Sequence, residues 1–388
     1  MTAIHEAGQR GPATHALVIG VGGYKHLAGG EEPGEQNLGL GQLTSPALSA
    51  RAIADWLLHE FDNTKAPLGT VELLISPPYK PKRGRRAPRG VQRARRAARG
   101  VERATMANVS AAFRRWFDRC RARKGNVALF FFCGHGVRKT NLFLLLEDFG
   151  EDPNQLFRNA IDFEGVHRGL ASRCRARVQC LFADACRQVA PEVLELIDPR
   201  GESFLDGRHD VFFPEDAPLF YSTMPTQSAY GLSDEPTLYT QALLWALRGG
   251  AGRKLGDSWV VTTGYLQDGI RAAMDRISRQ QRIKDQSPMS GGQWSGGSVI
   301  NVLRREPLVP VKVSLKPPQA AGHAELSLVS IADPRCRFDR RRRRGDWEVE
   351  LRAGDYDGRA HFPGGKYRDG QWRVKPYPPV TEELWQVI

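Results

Sequence analysis

Five short and almost wholly apolar runs limit what this chain can fold into: 16–20, 71–75, 127–132, 178–183 and 219–222. Each is long enough for a strand and too short for a helix. Strands that are apolar on both faces must be covered on both faces, which is the situation of strands in a parallel sheet. The stretches between them carry apolar residues at helical spacing. Ile53, Trp56, Leu57 and Phe61 follow Ser45-Pro46, which reads as an N-cap and a first helical residue. Val109, Ala112, Phe113, Trp116 and Phe117 follow Thr105, and Phe163, Val166 and Leu170 follow Asp162. Further helices are predicted at 237–247 and 263–279. The alternation predicts an α/β domain over 15–303, a mostly parallel sheet flanked by helices, with 299–303 closing the domain as a strand.

Past residue 304 the period drops to two. Val309, Val311, Val313 and Leu315 alternate with other residues, as do Leu326 and Leu328, and Trp347, Val349 and Leu351. A small all-β, sandwich-like accessory domain is expected over 304–388. Residues 1–14 read as a flexible tail. No stretch of eighteen apolar residues is present, so no bilayer span is expected. The N-terminus lacks the basic start and apolar stretch of a signal peptide. The six cysteines lack CxxC spacing, which argues against a disulfide scaffold or zinc ribbon and for reduced thiols in a cytoplasm.

The net charge of +13 is local rather than general. Segment 80–103 contributes +10, and segment 335–344 contributes +6, leaving −3 for everything else. The first block reads as an insertion, 79–104, forming a solvated loop. Contact with nucleic-acid phosphates through either block is a further reading, but no aromatic residue lies within 80–104 to stack on bases.

Reactive residues follow two of the apolar runs directly. Cys133-Gly134-His135-Gly136 follows the third run, and Asp184-Ala185-Cys186-Arg187 follows the fourth. Ligands of open parallel sheets bind beyond the carboxyl ends of the strands, so His135 and Cys186 meet there if their strands are neighbours. A thiol beside an imidazole is activated as a nucleophile, and the imidazolium can then protonate a leaving amine. The amides of Gly136 and Cys186 are candidates for polarising a substrate carbonyl. The blander alternative is a buried thiol and a structural histidine. The other cysteines have no consistent ligand spacing, so no metal site is expected. Gly20-Val21-Gly22-Gly23 is a poor dinucleotide fingerprint, because its sixth position is Lys25.

The segments ALVIGVGGY, VALFFFCGHG, VQCLFADACRQ and LFYSTMPTQSAYG, in that order, resemble the caspase-like cysteine peptidases, nearest the prokaryotic caspase and metacaspase branch. The resemblance covers about 15–303. His135 precedes Cys186 by 51 positions, close to the roughly 50 of caspases. It implies an endopeptidase with His135 as general base and acid and Cys186 as nucleophile, acting through a thioester. The position of Asp184 is an Asp in metacaspases, which cut after Arg or Lys. A carboxylate there would pair with a guanidinium or ammonium. Caspases carry Ser-Trp-Arg where this chain has Ser228-Ala229-Tyr230, so a substrate Asp is disfavoured. Metacaspases also place an Asp where this chain has Ser49.

An Arg-selective peptidase makes its own Arg-rich insertion a candidate substrate. The loop 189–218 follows the nucleophile, as the processed linker of caspases does, and Arg200 and Arg208 are candidate cleavage points. Calcium dependence occurs among metacaspases, but no dense carboxylate loop predicts it here, and no cofactor is expected. The resemblance further implies a regulated effector of bacterial stress, cell death or antiviral defence, with residues 304–388 as a site for an activating partner. The rival readings are a catalytically silent scaffold and a nucleic-acid-associated protein.

Overall fold

A computed structural model describes residues 2–8, 10–35, 37–79, 87–186, 199–206, 214–224, 234–281 and 286–388, the Trp294 side chain excepted. Its centre is a seven-stranded mixed sheet. The strands are β1 (Ala3–Glu6), β2 (Thr14–Val21), β3 (Leu68–Ser76), β4 (Val127–Gly134), β8 (Val178–Ala185), β9 (Asp216–Tyr221) and β12 (Met289–Trp294), in the order β1-β3-β2-β4-β8-β9-β12. The five inner strands run parallel, and β1 and β12 pair antiparallel at the edges. The apolar runs are these inner strands, and β2, β4, β8 and β9 are buried along their whole length.

Helices cover both faces. On one side α1 (Ser45–His59), α5 (Leu238–Trp245) and α6 (Thr263–Gln281) pack on Val18, Phe131, Cys180 and Phe182. On the other, α3 (Met106–Arg121) and α4 (Phe163–Arg173) cover Leu17, Phe130, Leu181 and Ala183. Thr105 and Asp162 cap α3 and α4 as expected, each accepting a backbone N–H in the first turn, and Thr237 does the same for α5; Ser45 is not a cap but the first residue of α1, which follows Thr44 and has no side-chain cap bond. A small sheet, β5 (Gly136–Arg138), β6 (Leu142–Leu145) and β7 (Ala160–Asp162), leaves the carboxyl end of β4.

Two further expectations need correction. The first residues are not all loose tail. Residues 3–6 form β1, and the Thr2 hydroxyl donates to Glu72, which also takes Arg115 and Arg119. A buried carboxylate with two cations gives this short edge strand an anchor that no apolar pattern reveals. The Arg-rich block is not simply a loop, since residues 89–97 form α2 (Arg89–Ala97), packed on α1 through Gly90 and Ala94. Residues 80–86 lie outside the described residues. The strand expected to close the domain, β13 (Val299–Leu303), forms, and it lies outside the main sheet. It pairs with the hairpin β10 (Gly252–Leu255) and β11 (Ser258–Thr262) in a separate three-stranded sheet.

The C-terminal strands form two small sheets. One holds β14 (Leu308–Lys316), β17 (Trp347–Arg352) and β20 (Thr381–Gln386). The other holds β15 (Glu325–Ser330), β16 (Arg337–Arg340), β18 (Tyr356–His361) and β19 (Gly370–Val374). Their alternate residues enclose a core of their own, including Val311, Leu328, Leu351 and Trp385. At the seam with the main body, Arg253 lies over the Tyr265 ring at 4.1 Å and donates to the Pro378 carbonyl at 2.8 Å. No helix among the described residues is long and apolar enough to cross a membrane.

Candidate active site

His135 is the residue after β4, and Cys186 is the residue after β8. The two strands are parallel neighbours, and their last partners in register are Gly134 and Ala185. The next residue on each strand is therefore His135 on one and Cys186 on the other, side by side at the carboxyl rim. Both are half-buried. The approach is close enough to require glycine. A Cβ on Gly136 would lie 2.6 Å from the Cys186 carbonyl oxygen and 2.8 Å from the Ala185 Cβ.

The His135 ring is held by main-chain chemistry. Its Nε2 lies 2.8 Å from the Gly41 carbonyl oxygen. A carbonyl only accepts, so Nε2 carries the proton and the neutral ring keeps Nδ1 as its basic atom. Burial pushes the imidazolium down from 6.5 to about 4, with the Gly41 contact acting in the opposite sense. His135 is thus a neutral base at physiological pH. Its backbone N–H donates to the Tyr24 hydroxyl at 2.7 Å, and the two rings lie 4.9 Å apart. Tyr24 is completely buried, and Gln42 clamps it by accepting from its N–H at 3.0 Å and donating to its carbonyl at 2.9 Å. The Gly-rich loop after β2 therefore folds back on itself and delivers Gly41 to the histidine.

Ser222 performs the matching service for β8. Its hydroxyl accepts from the Ala185 N–H at 3.1 Å and donates to the Ala185 carbonyl at 3.0 Å, one residue before Cys186. Tyr24, Gly41, Gln42 and Ser222 were not singled out by the sequence. The glycines around Tyr24 and the end of the fifth apolar run were the available signals.

Asp184 is buried, and strand alternation turns it to the α1/α5 face, opposite to Ala183 and Ala185. Its Oδ2 accepts from the hydroxyls of Thr240, at 2.6 Å, and Thr237. Ser49 on α1 accepts from the Thr237 N–H at 3.0 Å, so the position expected for a second carboxylate supports the first indirectly. Cys133 lies on this same face, beside Asp184. Asp184 Oδ1 is buried with no hydrogen-bond donor among the described residues. Burial raises the Asp184 carboxyl from 3.8 to about 6, against the hydroxyl donors. Ser228, Tyr230 and Arg208 lie outside the described residues. Arg200 is exposed, on a segment stitched to β7 by Glu202 and packed through Phe204 on Phe113 at 4.4 Å. No group of three or more metal-ligating side chains occurs among the described residues.

A mixed α/β sheet with a histidine and a cysteine ending adjacent parallel strands has the plan of a caspase-type peptidase domain. The chain belongs to the Peptidase_C14 family: its caspase-domain model matches residues 13–289. The uncharacterized protein y4kE of Sinorhizobium fredii is 25% identical over 289 residues, covering 69% of this chain and 79% of that protein. Among solved structures, caspase-1 from Spodoptera frugiperda is similar at a TM-score of 0.38 and 11% identity, over 78% of this chain and 98% of that chain.

Proposed function

We propose that the chain is a cysteine endopeptidase working through a His135/Cys186 dyad. The observation that carries the reading is the β4–β8 register, with a histidine whose Nε2–H is engaged by Gly41 and whose Nδ1 remains basic. Nδ1 takes the proton of the Cys186 thiol, and the thiolate attacks the substrate carbonyl carbon. The amides of Gly136 and Cys186 stabilise the oxyanion that develops. As the C–N bond breaks, the imidazolium returns its proton to the leaving amine, and a thioester remains on Cys186. Water, deprotonated by His135, then hydrolyses it.

For the residue before the cut we propose Arg or Lys. Asp184 supports this with a buried carboxylate whose Oδ1 has no hydrogen-bond donor among the described residues, two residues before the nucleophile. Fluorogenic peptides ending in Arg, Lys and Asp test both parts. The Arg and Lys peptides are expected to turn over, with losses of at least ~10³-fold in Cys186→Ala and His135→Ala. Turnover of the Asp peptide alone rejects the assigned specificity, and undiminished turnover in Cys186→Ala rejects the dyad.

A further inference from the structure

The basic segment before α3 acquires a definite shape. Arg89, Arg93 and Arg96 recur at i, i+4 and i+7 on α2, so they share one face, and Arg99 continues it in the following turn. All four are exposed. The adjoining face, about 100° around the helix, is fixed to the body by buried Gly90 and Ala94, and by the Arg51 guanidinium, which donates to the Ala97 carbonyl at 2.9 and 2.7 Å. Arg95 turns inward to the Pro78 carbonyl. The stripe is therefore carried on an anchored helix rather than on a loop.

Among the described residues its charges are uncompensated. Elsewhere the arginines commonly meet carboxylates: Arg103 with Glu147, Arg119 with Glu72, Arg248 with Glu60. No carboxylate among the described residues pairs with Arg89, Arg93, Arg96 or Arg99. Like charges at this spacing oppose helix formation, so the stripe is a cost to folding that an anionic partner would relieve. The other Arg-rich block differs. Arg335, Arg337 and Arg342 pair with Asp333, Asp339 and Glu325, and Arg340 donates to carbonyls of its own turn.

We propose that the exposed face of α2 binds the phosphodiester backbone of nucleic acid without reading its sequence. Arg89 to Arg96 spans about 10 Å of helix axis. A duplex carries one phosphate per ~3.4 Å of each strand and meets such a stripe with several charges. α2 offers no aromatic residue to stack on bases. Nothing on it inserts into a lipid surface either: its largest apolar side chain is Val91, and that is half-buried. A helical stretch also resists the extended conformation that a protease cleft requires, which counts against 89–97 as a self-cleavage site. The inference does not depend on the dyad.

Fluorescence anisotropy of the full chain with labelled mixed-sequence DNA duplexes tests it across a salt series. Duplexes of different sequence are expected to bind alike. Converting Arg89, Arg93, Arg96 and Arg99 to Gln is expected to weaken binding at least ~10-fold and to flatten the log K against log salt slope by about 3 to 4. Arg341, Arg343 and Arg344 converted to Gln are expected to leave both within ~2-fold. Circular dichroism confirms folding, and the Arg93→Gln/Arg96→Gln pair, with half the effect, stands in if the fourfold variant melts. Unchanged affinity and slope in a folded α2 variant overturn the proposal. So does tighter α2-dependent binding to phosphatidylserine vesicles than to duplex.

Discussion

The imidazole of His135 is fixed by groups that a pattern of residue types does not advertise: a carbonyl oxygen at Gly41 and a tyrosine hydroxyl under its own N–H. Histidine and cysteine were legible because they follow apolar runs directly. The carbonyl was not, because every residue has one and only the fold of the loop selects it. Removing the Tyr24 hydroxyl leaves a buried N–H without its acceptor. Tyr24→Phe is expected to cost about 1–3 kcal/mol of stability and to lower kcat more than it raises KM, as read by thermal melting and steady-state kinetics. At Asp184 the pH dependence has a definite sign. The carboxyl titrates near 6, so its anion forms as pH rises through that value. His135, at about 4, is already neutral there. For an Arg substrate, kcat/KM is expected to rise through about pH 6, and Asp184→Asn is expected to erase that limb together with the preference for Arg over an uncharged residue. A pH profile indifferent to Asp184→Asn contradicts its role in selectivity.

Strand ends are where elements become a site, and each end here is secured separately. Asp216 at the start of β9 accepts from the N–H groups of Gly296 at 2.9 Å and Ser298 at 3.0 Å, and from Ser295 and the Thr263 hydroxyl, tying the 295–298 turn and the start of α6 to the sheet. Burial pushes the Asp216 carboxyl up, and these donors more than reverse it, leaving it below the ordinary value. Its contribution is therefore present above the unfolded pKa and lost as pH falls through the lower folded one. Asp216→Asn is expected to lower stability by about 2–4 kcal/mol near neutrality, with the difference from wild type shrinking below pH ~4 in pH-dependent urea melts. Inner strands and long helices were legible because burial imposes a period. β1 and α2 were not: one is held by a buried ion cluster, and the other carries more arginine than apolar surface.

Across the whole molecule, hydrophobic clusters on the two faces of the main sheet are separate from the one that closes the C-terminal sheets, which draws only on residues from Val311 onward. The seam between them is polar at Arg276–Glu350 and aromatic at Arg253. Two such cores predict two calorimetric transitions. Leu328→Ala, a fully buried site, is expected to lower only one of them, by about 2–5 kcal/mol. A single transition that shifts as a unit contradicts this. The C-terminal sheets were visible in the change of hydrophobic period near 304. The hairpin β10–β11 was not, because only half of it is buried.

The most direct test of the peptidase reading is labelling by a peptidyl-Arg acyloxymethyl ketone, with the modified residue located by mass spectrometry. The account predicts stoichiometric modification of Cys186 in the wild-type chain, and a large fall in its rate in His135→Ala with the fold intact. Equal labelling with and without the imidazole, or modification at another cysteine while Cys186 stays untouched, contradicts it.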